Sequence, residues 1–236
     1  MGRRRGVRGA ASGGGPVIGL RPERVDRVLV LGAHCDDIGI GAGGTLLSLC
    51  SSRPGLAVDA LVCTGGGGDR EAEERKALAA LCGGADLSCR VLDLPDGRLP
   101  AHWSEVKDAL ERLASTLDPD LVFAPAAHDA HQDHRTLAAL VPTVFRDHLV
   151  LGYEIPKWDG DLLQPAVFVP LSEECAQAKS RILGECYPSQ ADRHWFDPET
   201  FLGLARVRGV QSRARYAEGF FADKFVLNGG TPCACW

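Results

Sequence analysis

Short runs of branched apolar residues alternate along the chain with longer stretches of mixed polarity. Val28-Leu29-Val30-Leu31 is apolar at every position, which predicts a strand buried on both faces rather than one wetted on alternate residues. Val58–Cys63 and Leu121-Val122-Phe123-Ala124 predict two further strands, and Val91-Leu92, Val150-Leu151 and Val167-Phe168-Val169 shorter ones. Helices fall between them. Gly39, Gly41, Gly43 and Gly44 lead into a helix at Thr45-Leu46-Leu47-Ser48-Leu49, and Gly65–Gly68 reads as a loop before a helix capped by Asp69. Glu71 and Arg75 on that helix are spaced for an i,i+4 ion pair. After the turn Pro95-Asp96-Gly97-Arg98, Ser104 caps a helix with Val106, Leu110, Leu113 and Leu117 on one stripe. Gln132–Arg146, bent or interrupted near Pro142, and Ser172–Cys186 complete the helices.

Strand and helix repeating in this way predict a three-layer α/β/α sandwich with a mainly parallel, Rossmann-like sheet. No internal repeat and no dividing linker interrupts the pattern, so residues 25–228 are expected to form one domain. The chain of 236 residues is 45% apolar and 24% charged, which excludes a fibrous, coiled-coil or wholly disordered protein. Its net charge of −5 argues against a duplex-binding surface, and no nucleic-acid partner is expected. No apolar run approaches the roughly 20 residues needed to span a bilayer.

The start of the chain differs from the rest. Arg3, Arg4, Arg5, Arg8, Arg21 and Arg24 face a single acid, Glu23, with Ser12-Gly13-Gly14-Gly15 between them. Residues 1–24 are therefore expected to be a disordered basic arm, the competing reading being a contact with an anionic surface. Residues 229–236 are read as a flexible tail, with Cys233-Ala234-Cys235 as a small metal or redox element in the alternative. The nine cysteines are odd in number, irregularly spaced and partly set inside apolar runs, and no secretory apolar segment follows the arginines. Packed thiols in a reduced, cytoplasmic setting follow.

Ligands of such folds sit beyond the carboxyl ends of the strands, where two polar clusters fall. His34-Cys35-Asp36-Asp37 follows Val28–Leu31 directly, and His128-Asp129-Ala130-His131-Gln132-Asp133-His134 follows Leu121–Ala124. A turn with helix-capping aspartates explains the first cluster alone. Three of the seven histidines within the second fit a merely polar helix start poorly. Together the clusters offer His34, Asp36, Asp37, His131, Asp133 and His134. Two imidazoles and one carboxylate leave a tetrahedral metal ion an open position, with a base and an electrophile to spare, and point to metal-assisted hydrolysis. Gly39-Ile40-Gly41-Ala42-Gly43-Gly44 loosely suggests nucleotide binding, but it is displaced from its strand by the charged cluster. Those glycines instead suit a helix packed tightly below the metal.

Ala33-His34-Cys35-Asp36-Asp37-Ile38 and His131-Gln132-Asp133-His134, in that order, resemble the A-H-P-D-D-E and H-x-D-H motifs of the PIG-L/LmbE-like zinc-dependent N-deacetylases. The resemblance spans Val28 to Leu227. It implies Zn²⁺, with Fe²⁺ as an alternative occupant, held by His34, Asp37 and His134. It further implies Asp36 as general base, His131 as oxyanion stabiliser and proton donor to the leaving amine, and Asp133 as the partner orienting His131. Cys35 replaces the usual Pro and Ile38 the usual Glu, and the Cys35 thiol is expected to be packed. The implied reaction removes the acetyl group of an N-acetylated amino sugar or conjugate, a small molecule, and releases acetate and a free amine. The alternatives are metal-dependent hydrolysis of another bond, a phosphoester or another amide, and a non-catalytic nucleotide-binding Rossmann-like protein. Asp69 and Arg75 occupy positions implied to meet sugar hydroxyls. Tyr153, Lys157 and Trp158, after a predicted strand, suit a sugar site or equally a rim or subunit contact. Arg206, Arg208, Arg213 and Arg215 with Tyr216 and Glu218 suit an acidic substrate, a solvated face or an oligomer contact; a homo-oligomer is left open.

Overall fold

The computed structural model describes residues 19–22 and 24–226. The basic arm lies almost wholly outside them and the Cys233-Ala234-Cys235 tail entirely so. Seven strands form one sheet: β1 (Arg27–Gly32), β2 (Ala57–Thr64), β3 (Asp86–Leu94), β4 (Leu121–Pro125), β5 (Leu149–Tyr153), β6 (Val167–Leu171) and β7 (Tyr216–Phe221). Their order is β3-β2-β1-β4-β5-β7-β6. The first five are mutually parallel, and β7 runs antiparallel to both β5 and β6. The anticipated mainly parallel sheet between helical layers is present.

Both faces of β1 are buried, and its residues divide strictly between them. Val28 and Val30 pack with Leu46, Leu78 and Leu183, from α1 (Asp37–Ser52), α2 (Asp69–Leu81) and α5 (Glu173–Cys186). Leu29 and Leu31 pack with Val106, Leu110, Leu137 and Val141, from α3 (Trp103–Ala114) and α4 (Gln132–Val144). Each of these side chains contributes about 1.5–3 kcal/mol by burial, so the uninterrupted apolar run is what two helical layers require.

Several boundaries depart from expectation. Val91-Leu92 is the end of the longer β3, and Ser104 lies inside α3, which begins at Trp103 and ends before Leu117. Asp69 is the first residue of α2 and makes no cap hydrogen bond. Glu71 and Arg75 do pair, at 2.6 Å. Pro142 stays within α4, which stops at Val144. Ser172 caps α5 by accepting from the Cys175 N–H at 3.1 Å.

The largest correction concerns the glycines, which are not a lead-in but part of α1 itself. A Cβ at Gly41 would stand 2.1 Å from the Tyr153 ring, and one at Gly44 2.5 Å from a Leu171 methyl. The glycines therefore buy close approach between α1 and the sheet at the cost of helix propensity.

Two elements escaped the sequence pattern, α6 (Pro198–Gln211) and β7. In β7 the obstacle is Glu218, a buried charge in an apolar strand. Its carboxylate accepts from the N–H groups of Gly44 (2.8 Å) and Thr45 (2.6 Å) and pairs with Lys179 at 2.6 Å. Lys179 also donates to the Ile40 carbonyl at 2.5 Å, so the pair bridges α1, α5 and β7. In α6, Arg208 is buried and forks onto Glu154 at 2.7 and 2.6 Å. Arg208 and Glu218 are thus internal braces, not the acidic-substrate contacts or solvated face suggested by their sequence neighbourhood. Removing one partner of such a pair costs about 3–5 kcal/mol.

The seating of α1 is testable. Gly41→Ala should lower stability by about 2 kcal/mol in urea unfolding, since overpacking exceeds the roughly 1 kcal/mol gained in helix propensity. Gly43→Ala, whose Cβ would come no nearer than 3.3 Å to the Leu81 methyls and 3.5 Å to Lys179 Cγ, should cost less than half as much. An unchanged midpoint for Gly41→Ala would refute the close contact.

Candidate active site

β1 and β4 are parallel neighbours, so their carboxyl ends deliver the two polar clusters side by side. After β1 the chain turns sharply at Asp36, whose φ of 134° is rare for a residue with a side chain and costs about 1–3 kcal/mol. Asp37, the first residue of α1, holds that turn closed. Its Oδ2 accepts from the N–H groups of Ala33 at 2.9 Å and His34 at 2.8 Å. After β4, His131 caps α4, its Nδ1 accepting from the Asp133 N–H at 3.2 Å, and His134 follows in the first turn.

Three donor groups lie close together, the two imidazoles facing different oxygens of Asp37. Nδ1 of His34 lies 3.1 Å from Nε2 of His134 and 3.5 Å from Asp37 Oδ2, while His134 Nε2 lies 3.2 Å from Asp37 Oδ1. Ligands held about 2.0–2.1 Å from a tetrahedral Zn²⁺ stand roughly 3.3 Å apart, so the spacing fits one ion. His131 belongs to a looser group, its ring nitrogen within 4.8 Å of those of His34 and His134. The remaining nitrogens of the tight group are held by carboxylates. His34 Nε2 lies 3.2 Å from both Asp133 Oδ2 and Asp96 Oδ1, and His134 Nδ1 lies 2.9 Å from Asp129 Oδ2. Such outer partners fix which nitrogen faces a metal.

The electrostatics call for a cation. Burial alone would lower the pKa of His34, but the Asp37 charge and hydrogen bonds to Asp133, Asp37 and Asp96 push it up to about 12. For His134, burial is likewise outweighed by Asp37 and Asp129, which lift it to about 9. Asp37 is held well below the carboxylate range despite burial, by His134 and His34. The same carboxylates that raise the two imidazoles would favour any cation placed between them. Asp36 behaves oppositely, since burial and the Asp37 charge raise it to about 7 against the pull of Arg70. His131 is lowered by burial and by the charge on His34 and His134, so its imidazole is kept neutral. With Nδ1 accepting a backbone hydrogen bond, its Nε2 carries the proton.

The expected residues distribute unevenly. His34, Asp36, Asp37, His131, Asp133 and His134 do come together. Asp133, however, bonds His34 rather than the ring of His131. Its carboxylate also accepts from the N–H groups of Gly97 at 2.7 Å and Leu99 at 3.0 Å, which ties the β3–α3 turn to the cluster. Cys35 is packed, donating to the Thr64 carbonyl at 3.4 Å. Tyr153 is not a lining residue. It is fully buried, and its hydroxyl donates to the Leu31 carbonyl at 2.6 Å. Arg75 is turned away, engaged by Glu71 and by the Cys89 carbonyl at 2.9 Å, and Asp69 is exposed on the first turn of α2.

Arg70 takes the place expected of Arg75. It donates to Asp36 Oδ2 at 2.9 Å and to the Cys35 carbonyl, and it pairs with Glu73 at 2.8 Å. Lys157 reaches the cluster indirectly, 3.0 Å from Asp129 and 2.6 Å from Asp161. Trp158, 60% exposed, stands among His194, Trp195 and the Arg193 guanidinium. Asp129, Arg70 and Asp96 were not singled out from sequence, although Asp129 lay within the histidine-rich run.

The chain is similar to proteins of one known family and to several solved structures. Residues 29–145 match the PIG-L family, described as GlcNAc-PI de-N-acetylase. The Escherichia coli K12 protein YaiS, described as an uncharacterized deacetylase, is 31% identical over 160 residues, covering 62% of this chain and 83% of YaiS. Among solved structures, N,N'-diacetylchitobiose deacetylase from Pyrococcus horikoshii superposes with a TM-score of 0.61 at 22% identity over 84% of each chain. The Pseudomonas putida KT2440 hydratase GalB, a 4-carboxy-2-hydroxymuconate hydratase, superposes with a TM-score of 0.66 at 16% identity, over 88% of this chain and all of GalB. At those identities the two structures speak for the fold alone.

The double duty of Asp133 yields an expected outcome. In chelator-treated protein, Asp133→Ala should cost about 3 kcal/mol in denaturant unfolding, since one buried and one half-buried N–H group lose a charged acceptor. The Asp133 carboxyl is held below its usual range, by His34 and the Leu99 and Gly97 N–H groups against the effect of burial. Its stabilisation is therefore present above that range and fades as pH falls through the depressed value. The difference between variant and parent should shrink with acidification, and a gap that widens would contradict the assignment.

Proposed function

Because the chain belongs to the PIG-L family, we propose that it is a metal-dependent N-deacetylase that hydrolyses the acetyl amide of an amino sugar or amino-sugar conjugate. The observation that carries this reading is the convergence of His34 Nδ1, His134 Nε2 and the Asp37 carboxylate at 3.1–3.5 Å from one another. These three residues would hold a divalent cation, Zn²⁺ or Fe²⁺, which when bound would supply Lewis acidity for the hydrolysis.

The chain's own groups manage the protons. Asp36, held by Arg70, takes a proton from the attacking water, whose oxygen forms the new bond to the carbonyl carbon. The neutral His131 donates its Nε2–H to the oxygen on which negative charge develops. As the C–N bond breaks, the nitrogen takes the water-derived proton from the Asp36 carboxyl, because an amide anion is a very poor leaving group. Asp129 and Asp133 keep His134 and His34 in their ligating orientation.

The surroundings support an uncharged, hydroxyl-rich substrate. Asp96, 80% exposed in its side chain, and Arg70 border the cluster with groups that bond hydroxyls, and the exposed face of Trp158 suits a pyranose ring. Asp36, Asp37, Asp96 and Asp133 crowd the centre with negative charge, which disfavours a phosphoester. Among the described residues no helix is long and apolar enough to cross a membrane, which is compatible with a free sugar or conjugate. The free thiols of Cys35, Cys50, Cys63, Cys82, Cys89, Cys175 and Cys186 support a reducing compartment.

The deciding experiment incubates the Zn²⁺-loaded protein with a panel of N-acetylated sugars and conjugates and measures acetate. Release of acetate with an equal amount of amine is expected; metal-loaded protein inert toward the whole panel would count against the reading. His134→Ala should lose its bound metal in elemental analysis, so stoichiometric zinc in that variant would remove it from the ligand set. Asp36→Asn should retain metal and lose about 10²-fold or more in turnover, as expected on deleting a general base.

A further inference from the structure

The β4–α4 loop faces two places at once. Asp129 and His131 belong to the cluster described above, whereas Ala127 and His128 line a separate groove of about 190 Å³ between α4, the ends of β4 and β5, and the segment leaving β7. The groove exists because its floor is built from small residues. Ala124, Ala138 and Gly152 leave space beside Phe145, Val150 and Phe221 that larger side chains would fill. An apolar cavity of about 150 Å³ is enough to take up benzene, so this floor accommodates a six-membered ring or a short branched chain.

The rim is cationic. Arg146 and Lys224 both line it, opposed by one lining acid, Asp223, and accompanied by His128 and His148. Among the described residues neither cation forms an ion pair. Arg146 uses only Nε, on the Thr143 carbonyl at 3.0 Å, and Lys224 donates to the Arg146 carbonyl. The guanidinium fork is therefore free, and it matches the two oxygens of a carboxylate. His148 is already held by Asp118 at 3.1 Å, and the His128 ring packs edge-on against Phe221 at 4.3 Å, adding to the apolar wall. One free fork and one ammonium above a flat apolar floor suit a singly charged ligand with a compact hydrophobic body better than a polyol or a phosphate.

We propose that this groove is a second ligand site, for a small aromatic or branched aliphatic monocarboxylate, with its body on the Phe145–Phe221 floor and its carboxylate on Arg146 and Lys224. The site stands independently of the deacetylase reading.

Benzoate is the probe, titrated calorimetrically into the full chain after chelator treatment, so that no metal ion competes for the carboxylate. Saturable one-to-one binding is expected, and benzyl alcohol, of the same shape without the charge, should bind at least about tenfold more weakly. The Arg146→Ala/Lys224→Ala double variant, altered only at exposed side chains, should lose about tenfold or more in affinity. Ala138→Phe should abolish binding by filling the floor. His34→Ala should leave the affinity unchanged. Absence of saturable binding overturns the proposal, as does binding that survives the double variant and disappears in His34→Ala, which would place benzoate in the catalytic cluster.

Discussion

Asp37 sits where three demands coincide. It begins α1, where the helix end favours a negative charge; it closes the β1–α1 turn through two backbone N–H groups; and its other oxygen faces His134 on a different helix. Those N–H bonds leave its carboxylate a fixed direction, which side-chain packing alone would not give. Since β1 and β4 are hydrogen-bonded neighbours, the position of His134 relative to that carboxylate is set by sheet register. The cluster is thus an outcome of backbone geometry at two neighbouring strand ends.

Concentrating acids at the sheet ends carries an electrostatic consequence. Asp37, Asp129 and Asp133 all bear on two imidazoles, and this is affordable only with positive charge at the centre. Asp36 is the exception: it adopts an unusual backbone conformation, its carboxylate is paired with Arg70, and it makes no hydrogen bond to the imidazoles that hold Asp37 ionised. Adjacent aspartates thereby acquire opposite tendencies, one kept charged as a ligand should be and one able to exchange a proton near neutrality.

What could be read in advance was whatever depended on local order. The fully apolar β1 announced two helical layers, and donors placed directly after strands announced the cluster, because strand ends determine where the following side chains emerge. What depended on direction around a helix or on distant partners was hidden. Arg70 and Arg75 differ by five positions, about 140° around α2, so proximity to the glycine loop could not say which faces Asp36. Tyr153 ends a strand, which suggests a mouth, yet the alternation of side chains sends it inward. Glu218 disguised β7 because its partners, the N–H groups of Gly44 and Thr45, lie far away in sequence. Asp129 stood in view, but only the fold reveals that it backs His134.

The glycines of α1 connect these levels. Without side chains there, the helix lies close enough for the Tyr153 ring to pack against Gly41 while its hydroxyl reaches the Leu31 carbonyl. Leu31 stands three residues before His34, so the contact fastens β5 to the strand end from which the cluster emerges. The same stretch that outwardly resembles a phosphate-binding loop therefore serves a different purpose. Its backbone is helical, and its Gly44 and Thr45 N–H groups bond Glu218 at the side of α1. A nucleotide phosphate would need free amides at a helix start, whereas here that position belongs to Asp37. The place where other α/β proteins hold an anion is filled by the chain's own carboxylate, and that substitution turns an anion-binding end into one that attracts a cation.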